Sequence, residues 1–323
     1  MSEKRFQQAV SVVASPIRQS LLLTPSWVQQ QAQEIRLRAG MPVVLVLGDR
    51  MVFVNGQGQV IDFAENEGMI CSYECLEQTF RAVCGYSVHT HQRETVRGYI
   101  PLKGGHRVGI AATMVERDGQ VTSVKEISSL NIRIARQVKG VANLVPSYAL
   151  EKGLLLAGPP GCGKTTLLRD IARVLSQQGK KVVLLDERGE LAAMWDGMPQ
   201  NDVGIHTDVP NGFSKTAGME IAIRSLSPHI IICDEIGSAK EAQGLMGCLY
   251  AGVQTVATVH AGNAPELYQK PWIMELLRGG AFAHIGILHA QAGKRQITVL
   301  KTKEWLDEMD RNRVDNRHLF SVE

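Results

Sequence analysis

Eight consecutive residues, Gly158, Pro159, Pro160, Gly161, Cys162, Gly163, Lys164 and Thr165, have the types and spacing to cradle a polyphosphate. Glycines at 158, 161 and 163 let the backbone curl so that its N–H groups face one centre, and a helix starting there adds the positive end of its dipole. Lys164 can then reach the β- and γ-phosphates as a mobile point charge, and the Thr165 hydroxyl can ligate a bridging Mg²⁺. Thr166 ends the nucleotide-binding stretch by packing against or capping the helix. The chemistry to expect is binding of ATP with Mg²⁺ and, with a base at hand, its hydrolysis.

Acids and a histidine follow at places that could supply the rest. The stretch His-Ile-Ile-Ile-Cys-Asp-Glu, residues 229–235, is an apolar strand ending in two carboxylates. In an open parallel sheet that end faces the ligand crevice. Asp234 would hold the metal, directly or through water, and Glu235 would orient and deprotonate the attacking water. The strand at 182–185 ends in Asp186, Glu187, Arg188, Gly189 and Glu190. Glu187 or Glu190 could support the metal or the water; the alternative is a loop salt-bridged through Arg188. A third strand, 254–259, leads to His260, and Thr258 and His260 would face the same crevice, able to hydrogen-bond the γ-phosphate and relay its loss.

The elements that must position these groups divide the chain in two. Residues 1–136 read as an α+β domain. A helix at 2–13 is followed by strands near Ile35 and Leu37, at 43–47, and at 51–54 and 59–63 around an Asn55-Gly56 hairpin turn. A helix at 69–83 and strands at 96–101, 106–115, 121–127 and 130–134 complete it. Residues 137–146 read as a linker, with Pro146 a break and Ser147 a cap. From 147 to 323, apolar runs at 154–157, 182–185, 229–233, 256–259 and 285–288 alternate with helix-length segments, which predicts a parallel sheet with crossovers. Residues 296–300 could add an edge strand, and 303–323 read as a charged tail with no strong apolar face. The predicted class is therefore α/β, a doubly wound P-loop core beside a smaller α+β domain.

Taken together, the phosphate loop and the three strand ends resemble the secretion-superfamily ATPases, the motors of type II and type IV secretion, type IV pili and archaeal flagella. That family has a phosphate loop, an acidic box, a strand ending in the catalytic glutamate and a histidine box. Residues 158–165, 185–190, 230–237 and 252–263 look like these in order and approximate spacing. The resemblance implies a RecA-like core, Mg²⁺-dependent ATP hydrolysis and a homo-hexamer. The family's N-terminal domain carries arginines that reach the nucleotide from the same or a neighbouring subunit. Gly-His-Arg-Val-Gly-Ile (105–110) and Ser-Leu-Asn-Ile-Arg-Ile-Ala-Arg (129–136) look like those segments, so Arg107 and Arg133 are the implied candidates. A guanidinium stays charged and grips two oxygens at once; the alternative is that each pairs with a local carboxylate. Nearly the whole chain resembles the compact members found in endospore-forming bacteria, the stage III sporulation protein AA group. That implies a mother-cell cytosolic ATPase working with membrane proteins of one assembly to build or power a channel to the forespore. The chain departs from the larger motors in having Asp234 where they have glycine before the catalytic glutamate.

Composition narrows the alternatives. Of 323 residues 44% are hydrophobic, enough for two cores, and the formal net charge is only +3. A RecA-like nucleic-acid motor would need a basic groove or stacking aromatics, yet aromatics make up 5%. A non-catalytic, nucleotide-gated scaffold would bind the same ligand without cleaving it. No Asn-Lys-x-Asp segment reads guanine. Six cysteines lack a paired zinc spacing and read as reduced, mostly buried thiols, with Cys71, Cys75 and Cys84 on the predicted helix. No apolar stretch approaches the ~20 residues of a membrane span, so a soluble, cytoplasmic protein is expected, at a membrane only through a partner.

Overall fold

The computed structural model describes residues 2–62, 67–87, 95, 98–117, 120–291 and 294–319. The strand boundaries expected at Val96 and Phe63, Asp118 and Gly119 between two expected strands, and the last four residues of the tail lie outside that set. The chain forms two compact units, Met1–Arg136 and Gln137–Glu323.

The first unit is built on a seven-stranded antiparallel sheet. Its spatial order is Val60–Ile61, Arg50–Val54, Val44–Leu47, Ala32–Arg38, Gln120–Arg133, His106–Arg117, Tyr99–Leu102. Period-two patterning buries Ile35 and Leu37 while Glu34, Arg36 and Arg38 alternate with them on the half-buried to exposed face. Against the buried face pack Phe6, Ala9 and Val10 of the helix Ser2–Val10 and Leu76, Phe80 and Val83 of the helix Tyr73–Val83.

Three local expectations change here. The Asn55-Gly56 hairpin is a longer loop: the Asn55 side chain accepts from the N–H groups of Gln57 and Gln59, and the left-handed residue is Gly58 at φ 77°. A Cβ on Gly58 would lie 2.6 Å from that of Leu23, so close packing as well as backbone sign selects glycine. The helix expected from residue 69 starts at Tyr73, because Ser72 accepts from the N–H of Cys75 while Ile70–Cys71 pairs with Met41–Pro42. Cys71 is thus in a strand, Cys84 at the helix end, and Cys75 alone in the helix. The strands expected at 121–127 and 130–134 are one, Gln120–Arg133, whose pairing slips at Ala111/Ala112, Ala112/Thr113 and Val115/Glu116 and resumes. Ser128, which reads as a break, donates to the Ala111 carbonyl instead (3.1 Å).

The second unit is the doubly wound core. Its seven strands run Thr207–Asp208, Val182–Leu185, Ile230–Cys233, Gln254–His260, Leu154–Gly158, His284–Gln291, Lys294–Lys301, parallel except for the last. The central strands are continuous apolar runs because both faces are covered. Leu154 and Leu156 point into one core with Leu167, Leu168 and Ile171 of the helix Lys164–Gln177. Leu155 and Ala157 point into the other with Ala242 and Leu245 of the helix Ala239–Tyr250. The stretch 137–146 packs within this unit: Ala142 and Val145 are buried, and the Ala142 N–H donates to Asp170 (2.8 Å). Pro146, not Ser147, takes the cap position of the following turn. The charged tail is a helix, Thr302–Leu319, whose Trp305 is buried with Leu306 and Met309 beside it. These three make a narrow apolar strip on an otherwise charge-rich helix, in keeping with a tail that has no strong apolar face. Among the described residues no helix is long and apolar enough to cross a membrane.

Candidate active site

Parallel register sets the site. Gly158 pairs with His260, Cys233 with Ala257, and Leu185 with Cys233, so Asp186, Asp234 and His260 leave neighbouring strands at one edge of the sheet beside the phosphate loop. The loop folds as its glycines require, with Gly161 at φ 74° and Gly163 at φ 98°, the latter directly before the helix Lys164–Gln177. Gly158 is needed for space: a Cβ there would sit 2.7 Å from Cys162 Sγ and 3.2 Å from Leu288. Pro159 and Pro160 form the exposed turn between strand and loop, and Thr166 is half-buried in the first helical turn.

Lys164 is buried, and its Nζ donates to the carbonyls of Gly158 (2.7 Å) and Pro159 (2.9 Å) and lies 3.3 Å from His260 Nδ1. Thr165 Oγ1 donates to Asp234 Oδ2 at 3.0 Å. The other carboxylate oxygen of Asp234 accepts from Thr258 Oγ1 (2.7 Å) and from the Glu235 N–H (3.0 Å). Thr258 is fully buried and also receives the Glu235 N–H (2.8 Å), so it fastens the two acids rather than facing the crevice openly. Glu235 sits at φ 35°, a region costly for a residue with a side chain. Its carboxylate lies between His260 Nε2 (3.2 Å) and Arg188 Nη1 (3.1 Å).

The acids after the neighbouring strand separate into different tasks. Asp186 is buried and accepts from the N–H groups of Glu190, Leu191, Ala192 and Ala193 at 2.8–3.3 Å, pinning its own loop. Glu187, Glu190, Asp234 and Glu235 line one cleft with Arg188 and Lys215. Arg188 reaches across this cleft to Glu235. Lys215 escaped the sequence reading: it is buried, donates to the Glu235 carbonyl and to Glu241 (3.1 Å), and lies 3.9 Å from Glu187. Its only sequence signal is Ser214, a cap for the helix Lys215–Ile221, which says nothing about an active site.

Arg107 and Arg133 belong to the first unit, where they are cross-strand partners. The Arg107 guanidinium lies 5.4 Å from the centre of the Tyr99 ring, and Arg133 Nε is 3.7 Å from Glu34. No group of three or more His, Cys, Asp or Glu able to hold a metal occurs among the described residues. Thr165 and Asp234 instead offer a pair of adjoining oxygens, a donor set suited to Mg²⁺, which keeps most of its waters and takes other ligands from phosphate. Burial pushes the thiols of Cys71, Cys84 and Cys248 up to about 11 and that of Cys233 higher still, away from the thiolate form.

A phosphate loop opening a helix, beside strand ends that carry acids in a parallel sheet, defines a RecA-like P-loop fold. The pilus retraction motor PilT with bound ADP shares it at a TM-score of 0.60 and 13% identity, covering 94% of this chain and 88% of that one. The ATPase DotB of Legionella pneumophila gives 0.53 at 15% identity over 87% of this chain and 83% of its own. Residues 3–304 match the family described as sporulation stage III, protein AA, and the chain belongs to that family. It is 34% identical over 286 residues to stage III sporulation protein AA of Bacillus subtilis, covering 86% of this chain and 89% of that one. An uncharacterized protein, ycf45 of Porphyra purpurea, is 32% identical over 62% of this chain, which spans 36% of that relative.

Proposed function

We propose that the chain is an Mg²⁺-dependent ATP hydrolase acting as a subunit of a ring motor at stage III of sporulation. The observation that carries this reading is the 3.0 Å contact between Thr165 and Asp234 at the mouth of the loop, with Lys164 and Glu235 on either side. Lys164 and the loop N–H groups bind the β- and γ-phosphates. Thr165 and Asp234 hold Mg²⁺, which when bound neutralises charge on the phosphate oxygens. Glu235 orients water and takes its proton, and His260, within reach of both Glu235 and Lys164, relays the state of the γ-phosphate. Glu187 supports this arrangement through Lys215.

Arg107 and Arg133 act on the nucleotide from the same or a neighbouring subunit; the second case calls for a closed ring, and a homo-hexamer is the expected assembly. The family's description and the name of the Bacillus subtilis relative support a role in sporulation; on this reading the chain works with membrane proteins of one complex, building or powering a mother cell to forespore channel from the cytoplasmic side. Glu235→Gln keeps the shape and hydrogen bonding of the side chain but removes the base. The variant should still bind ATP and should cleave it about 10²–10⁴-fold more slowly in the presence of the membrane partner. Unchanged turnover would remove Glu235 from that role.

A further inference from the structure

We infer that Arg188 is a γ-phosphate-contacting arginine supplied by the same chain, and that it exchanges the Glu235 carboxylate for the terminal phosphate when a triphosphate binds. The inference rests on the ATP-site reading above. Four side chains form one chain of contacts: Arg188 to Glu235 at 3.1 Å, Glu235 to His260 at 3.2 Å, and His260 to Lys164 at 3.3 Å. Lys164 belongs to the phosphate loop and Glu235 faces the attacking water, so a guanidinium touching Glu235 lies beside the place of the γ-phosphate.

The loop that carries Arg188 is fixed from both sides. Asp186 before it holds the backbone of residues 190–193, and Gly189 after it takes φ 66°. A guanidinium delivered by so constrained a loop is placed in advance, and little ordering remains to be done on binding. The present pairing is of the exchangeable kind: the Arg188 side chain is 66% exposed and that of Glu235 30%. An ion pair this open to water is weak. A terminal phosphate offers the planar fork more charge and several oxygens for two parallel hydrogen bonds. Exchange would also leave Glu235 free to receive a proton from water, so triphosphate binding and release of the base become one event.

The test is nucleotide titration of the full chain with Mg²⁺, using ADP and the slowly hydrolysed analogue ATPγS. Arg188→Ala should leave ADP affinity within about twofold and weaken ATPγS about tenfold or more, with Arg188→Lys recovering part of the loss. Glu235→Gln, which removes the competitor for the guanidinium, should tighten ATPγS more than ADP when Arg188 is present and lose that preference in the Arg188→Ala background. Parallel weakening of both nucleotides would assign Arg188 a structural role, and unchanged affinity for both would leave it none at the phosphate; either result overturns the inference. Lys164→Ala separates the two readings. If wild type binds neither nucleotide, or Lys164→Ala binds as well as wild type, the ATP site itself falls and takes Arg188 with it.

Discussion

Glu235 is held in place against its own backbone preference. Its φ of 35° costs about 1–3 kcal/mol, which the surroundings must supply. Thr258 and Asp234 take its N–H, Lys215 takes its carbonyl, and Arg188 and His260 take its carboxylate. Lys215→Met would remove the clasp on the carbonyl and leave Glu241 without its cation. The expected loss is about 3 kcal/mol of stability, read as a lower denaturation midpoint at unchanged m. A midpoint equal to wild type would show that the lysine holds nothing. Lys164 and Thr165 could be found in the sequence because their motif is contiguous, but Lys215 could not. It reaches Glu235 across the fold, and a lysine after a serine cap looks like any surface lysine until its burial is known.

His106 supplies a pH dependence at the same scale. Its Nδ1 accepts from the Ala135 N–H (3.0 Å), its Nε2 finds no acceptor among the described residues, and burial, with Arg5 nearby, lowers its pKa to about 4. A depressed folded-state pKa means the unfolded chain takes up the proton first. The stabilisation is therefore complete above the ordinary value near 6.5 and is lost as pH falls towards 4, up to about 3 kcal/mol in all. Denaturation of wild type and His106→Gln at pH 7.5 and 5 should show wild type losing more on acidification. Equal losses would place the sensitivity elsewhere.

Among the elements, the strand Leu154–Gly158 has the least freedom, since its last residue must leave room for the loop to return. Gly158→Ala drives a methyl towards Cys162 Sγ and the Leu288 backbone. Only the thiol can rotate away, so the loop should shift and ATP affinity drop by about tenfold or more while the secondary structure content stays the same. Retained affinity would show that the loop tolerates displacement. The parallel strands were readable because burial on both faces leaves uninterrupted apolar runs. The strand Gln120–Arg133 was not, because Ser128 and Ser129 look like a turn when the bulges that carry the pairing through cannot be seen. The packing of the helix Thr302–Leu319 is faint in the sequence for the opposite reason: Trp305, Leu306 and Met309 are too few among charges to mark a face by pattern.

For the whole molecule, the two units divide the proposed work: one holds the phosphate loop, acids and histidine, the other carries Arg107 and Arg133. Arg133 is 69% exposed beside Glu34, an open pairing that costs little to give up. If the arginines serve a shared site, light scattering with Mg²⁺ and ATPγS should show a hexamer at micromolar concentration, and a monomer under those conditions would contradict the ring.

The functional expectations depend on a triphosphate seated against the loop with Lys164 on its outer phosphates. Calorimetric titration of Mg·ATPγS into wild type and Lys164→Ala tests that directly. The account predicts one saturable site per chain in wild type and a loss of roughly a hundredfold in affinity, about 3 kcal/mol, in the variant. Equal affinity in the two proteins, or no binding to wild type, would contradict it.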